Sequence, residues 1–74
     1  MTLPFPKAFK ILERVMLLNE DTHRHNEWLE HSDDFHRTRA QRHLTRLWLG
    51  DETGEDNLAH AAVRCLMALE RRDV

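Results

Sequence analysis

Cysteine occurs once in the 74 residues, so no disulfide can form within the chain, and a reducing compartment is expected. No apolar run approaches the ~20 residues that cross a bilayer. A basic region followed by an apolar stretch is also lacking at the N-terminus, so no secretory signal is expected. Positive charge is not in excess: 11 Lys and Arg face 13 Asp and Glu, a net charge of −2. That balance argues against a direct nucleic-acid binder, which normally shows a basic excess. Internal repeats and low-complexity segments are missing too. What is present is 41% apolar and 32% charged, the balance of a globular, cytoplasmic protein. A single domain of this length lies where one core supplies only ~3–5 kcal/mol of net stability, so self-association is expected.

The chain reads as one all-α domain over 1–74, with helices at about 6–19, 32–49 and 54–71. Pro4 and Pro6 make an extended entry, and Pro6 suits a helix's first turn. Ala8, Phe9, Ile11, Leu12, Val15, Met16 and Leu18 then form a broad apolar stripe opposite Lys7, Lys10, Glu13 and Arg14. Asn19 is the expected stop. Residues 20–31 read as a connector with one helical turn, pinned to the core by Trp28. Ser32 caps the second helix, with Asp33 and Asp34 favourably placed in its first turn. Its expected inward stripe is Phe35, Ala40, His43, Leu44, Leu47 and Trp48, and Gly50 ends it. Thr53 and Asp56 resemble a capping box for the third helix. Leu58, Ala62, Cys65, Leu66 and Leu69 make its expected apolar face, with His60, Arg64 and Arg71 on the flank. The last two helices are expected to form a tight antiparallel hairpin in a homo-oligomeric bundle.

Around that hairpin lie the residues with chemical potential. His36 and His43 are two helical turns apart on one face, and His60 comes from the neighbouring helix. Together they suit either a three-histidine zinc site or a structural role. Glu27 and Glu30, and likewise Glu52 and Glu55, are paired carboxylates of the type that holds Mg2+, a hard cation that also bridges to phosphates. Arg39, Arg42 and Arg46 follow one another at i, i+3 and i+7, a stripe that suits bidentate phosphate binding. A solvated charged face is the plain alternative. Trp28 and Trp48 are either core anchors or stacking surfaces for a base.

Asn26-Glu27-Trp28, Arg42-His43-Leu44, Gly50-Asp51-Glu52-Thr53-Gly54 and Asn57-Leu58-Ala59-His60-Ala61 follow in order, after Pro6, Ala8 and Leu12 on the leading helix. This succession resembles the small, mostly phage-borne family described as the N-terminal domain of dATP/dGTP diphosphohydrolases, akin to the all-helical MazG-like pyrophosphohydrolases. The chain departs from that pattern at Asn57, where a histidine is usual, at Arg64, where an asparagine is usual, and in a shorter acidic loop. An extra residue also separates Asn26 from Trp28.

The resemblance implies metal-dependent hydrolysis of a purine (deoxy)nucleoside triphosphate to monophosphate and pyrophosphate, in a host cytoplasm if phage-encoded. Glu52, His43 and His60 would then be catalytic, and Glu27, Glu30, Glu52 and Glu55 would hold Mg2+ or Mn2+. Arg39, Arg42, Arg46, Arg64, Asn26 and Trp28 would bind the nucleotide. The alternative is a non-catalytic protein that sequesters a nucleotide signal or blocks a host protein.

Overall fold

The computed structural model describes residues 3–22, 26–51 and 56–72. Among them the protein is all-helical: α1 (Pro6–Thr22), a 3-10 turn (Glu27–Glu30), α2 (Asp33–Trp48) and α3 (Asn57–Glu70). Pro6 occupies the first turn of α1, where its missing N–H costs nothing, and the Phe9 N–H reaches back to the Phe5 carbonyl at 3.0 Å. α1 continues past Asn19 to Thr22, so Asn19 is not the stop that its left-handed tolerance suggests. The left-handed backbone belongs to Asn26 instead, at φ 58°, just before the 3-10 turn.

α2 begins as its sequence dictates. The Ser32 hydroxyl accepts from the Phe35 N–H at 3.2 Å, and Asp33 and Asp34 fill the first turn. Both carboxylates pair with Arg37 one turn on. Gly50 ends the helix at φ +74°. Its N–H meets the Leu47 carbonyl at 3.2 Å, and the Asp51 N–H meets that of Arg46 at 3.0 Å, the double bond pattern of a Schellman turn.

α3 starts later than expected. Asp56 is its cap, with the carboxylate accepting from the Ala59 N–H at 3.0 Å. The capping role expected of Thr53 falls outside the described residues.

Packing is centred on α3, which meets α2 closely and α1 more lightly. Toward α1 it presents Ala59, Val63 and Met67, which cluster with Val15 and with the partly buried Ile11, Leu12, Met16 and Trp28. Asn57, Ala61, Arg64 and Ala68 recur at i, i+4, i+7 and i+11 on a second stripe, and its alanines allow close approach to α2.

The expected apolar face of α3 is therefore largely its outer one. Leu58, Cys65, Leu66 and Leu69 are exposed, because a helix flanked on two sides buries its small residues in the tight contacts. α2 departs likewise. Its buried residues are His36 and Ala40, with Phe35 and His43 half-buried, whereas Leu44 and Leu47 are exposed and Trp48 is 86% exposed. Trp28, by contrast, is packed against the core as the sequence suggests.

A Cβ at Gly50 would touch nothing within 4 Å, so only the backbone conformation opposes a side chain there. Gly50→Ala is expected to lower stability by ~1–2 kcal/mol, and Gly50→Asn by less, as measured by urea denaturation.

Candidate functional site

Two polar clusters lie between α2 and its neighbours. The first surrounds His36, whose side chain is fully buried (0% exposed). Its Nδ1 lies 3.0 Å from an Arg64 Nη1, and its Nε2 lies 2.9 Å from the Trp28 carbonyl oxygen. A guanidinium only donates, so Nδ1 must be the acceptor and the ring proton must sit on Nε2, donating to Trp28. The Trp28 carbonyl also accepts the His31 N–H at 3.2 Å, which closes the 3-10 turn. One imidazole thus joins the turn, α2 and α3.

Phe35 lies beside it. His31 stacks on the Phe35 ring with centroids 3.9 Å apart, and the guanidiniums of Arg39 and Arg64 stand 5.1 and 5.8 Å from its centroid. These are cation–π distances. Desolvation holds the His36 pKa below its ordinary value. The bond to the Trp28 carbonyl opposes that shift, and the charge of Arg64 adds to it. Burial, and then the nearby Arg39, lower the Arg64 pKa.

The second cluster lies where α3 begins. His43 donates from Nδ1 to the Asn57 side-chain oxygen at 2.9 Å, and Asn57 is itself buried. The His43 and His60 rings stack with centroids 4.9 Å apart and planes 20° from parallel. Near-parallel rings at this spacing direct their lone pairs alongside one another rather than toward a common ion. His36 has both ring nitrogens engaged, so a three-histidine zinc centre of His36, His43 and His60 is not formed.

The expected nucleotide-binding residues divide between these clusters and the surface. Arg64 is committed to His36, and Arg39 is half-buried over Phe35. Arg42 and Arg46 are exposed on α2, and Arg42 makes no ion pair or hydrogen bond among the described residues. Asn26 is exposed beside the 3-10 turn that carries Trp28, Glu27 and Glu30. Glu52 and Glu55 lie outside the described residues. Among the described residues no three His, Cys, Asp or Glu side chains converge as a metal site would require.

Sequence reasoning missed Asn57 as the partner of His43. The signal was its place three residues before His60, on the face that turns toward α2. It also missed His31, which precedes the Ser32 cap and stacks on Phe35.

The chain matches no protein-family model, no curated protein and no solved structure. No helix among the described residues is long and apolar enough to cross a membrane.

The neutral, buried state of His36 predicts an acid-sensitive fold. The unfolded chain takes up a proton as pH falls through about 6.5, the ordinary histidine value, while the folded chain resists it. Stability is therefore complete above that pH and is lost as pH falls below it, with a slope from this residue of at most ~1.4 kcal/mol per pH unit. Denaturant midpoints measured from pH 8 to 5 should follow that course. His36→Gln, which does not titrate, should flatten the dependence even where its stability at pH 8 is lower.

Proposed function

We propose that this chain is a small helical protein that works as a homo-oligomeric bundle, with α2 and α3 as an antiparallel hairpin. At the end of the hairpin it binds a phosphorylated ligand, a purine nucleotide being the class its sequence resemblance suggests. One observation carries this reading. The His43–His60 pair is fixed by Asn57, and the next residue of α2 before His43 is Arg42, an exposed guanidinium without an ion pair among the described residues. A guanidinium and a pair of imidazoles on these two helices suit a phosphate, because guanidinium binds it bidentately and imidazole nitrogens make hydrogen bonds to it. Arg46 is exposed one turn on along α2, and Arg39 stands over the Phe35 ring one turn before.

Hydrolysis is the second reading. Glu52 and Glu55 lie in the segment joining the helices that carry His43 and His60. With Glu27 or Glu30 they would hold Mg2+ or Mn2+, neutralising the phosphates and activating water for attack between them. A nucleoside triphosphate would then give the monophosphate and pyrophosphate. Without that metal, the same residues serve a cytoplasmic protein that sequesters a nucleotide or presents it to a host partner.

Calorimetry against dATP, dGTP and the ribonucleotides tests the binding. Arg42→Ala should weaken it by ~1.5–3 kcal/mol, the cost of a lost hydrogen bond to a charged group. No binding of any nucleotide by the parent overturns the reading. Pyrophosphate release that requires Mn2+ and vanishes in Glu52→Gln marks the enzyme, and binding without release marks the sequestering protein.

A further inference from the structure

Positive charge gathers around Phe35 without an acid to balance it. The Arg39 guanidinium, one turn on along α2, and that of Arg64, from α3, stand 5.1 and 5.8 Å from the centre of the one ring. Arg71, the C-cap of α3, donates from Nε to the His31 carbonyl at 3.4 Å, and the His31 ring stacks on Phe35. Asp33 and Asp34 lie in the same first turn as Phe35 but pair with Arg37. Neither Arg39 nor Arg64 has a carboxylate partner among the described residues.

Like charges brought together cost free energy, and a partly desolvated guanidinium is normally matched by an acid. Both arginines are half-buried. After burial itself, the charge of Arg39 is what holds Arg64 below its ordinary pKa. The charges that act on His36 come from Arg64, His31 and Arg71, again with no acid among them. The Phe35 ring offsets part of this cost, but a ring quadrupole neutralises no charge. Donors are also left over. Arg64 spends Nη1 on His36 Nδ1 at 3.0 Å and on the Met67 sulfur at 3.8 Å. Its Nε and Nη2 make no hydrogen bond among the described residues, which leaves three N–H groups for a ligand.

We propose that Arg39 and Arg64, with Arg71 at the margin, hold a terminal phosphate group, either as free phosphate or as the monoester of a small metabolite. Each guanidinium presents a two-pronged donor edge that matches phosphate oxygens. A terminal phosphate has three free oxygens and ~1.5–2 negative charges at neutral pH, so one group answers both cations. A phosphodiester offers two free oxygens and a single charge. The site uses residues other than Arg42, His43 and His60, and it stands or falls apart from the nucleotide reading above.

Inorganic phosphate and glycerol phosphate, titrated into the full chain at constant ionic strength, test this by calorimetry and by the arginine Nε–H signals in NMR. Inorganic phosphate should bind saturably and shift the Arg39 and Arg64 signals, while dimethyl phosphate, a diester, should bind at least tenfold more weakly. Arg39→Gln leaves the His36–Arg64 bond in place and should weaken phosphate binding at least tenfold, the loss of one charged hydrogen-bond partner. Arg14→Gln, which removes an exposed guanidinium from α1, should bind as the parent does. Glycerol phosphate bound as tightly as phosphate identifies the metabolite's monoester as the ligand, and its refusal identifies the free ion. Should Arg39→Gln fail to fold, the shifts in the parent decide alone. The site is overturned by a lack of saturable phosphate binding, by shifts confined to Arg42 and Arg46, or by a folded Arg39→Gln that binds like the parent.

Discussion

The bond between His36 and Arg64 is the constraint from which the rest of the arrangement follows. An uncharged imidazole at full burial is tolerable only with both nitrogens satisfied, and here one partner comes from α3 and the other from the 3-10 turn. Losing either leaves a buried polar atom unpaired, at a cost of ~1–3 kcal/mol. Tautomer, rotamer and the seating of Trp28 are therefore set together. An apolar side chain in place of His36 would leave the Arg64 donor and the Trp28 carbonyl to find new partners.

α3 consequently has two unlike contacts. Toward α1 it is a small hydrocarbon cluster around Val63 and Met67. Toward α2 it is a polar seam of His36, Arg64, His43 and Asn57, spaced by alanines. The seam is specific because each hydrogen bond fixes a register, whereas the cluster needs only suitable volume.

The helices were legible in the sequence, because Pro6, Ser32 and Gly50 act through local backbone chemistry that needs no tertiary context. The faces were less so. Taking leucine as the core marker selected Leu58, Leu66 and Leu69, while the helix turned its alanines inward. Size governs tight helix contacts, and a reading weighted by hydrophobicity passes over it. Near the start of α3, His43 and His60 were singled out and do meet, since their helical positions dictate it. That Asn57 would hold His43 depends on where α3 begins, at Asp56 rather than near Thr53.

The order of the elements along the chain has a kinetic consequence. α2 and α3 are neighbours in sequence and share the closest packing, so their union closes a short loop and carries little entropic penalty. α1 must return to α3 across the whole of α2, for a lighter contact. The α2–α3 pair is thus the early-forming unit and α1 the segment that docks last and detaches first. Amide protons of α2 and α3 should outlast those of α1 in hydrogen exchange, dividing so short a chain into two cooperative units of unequal stability.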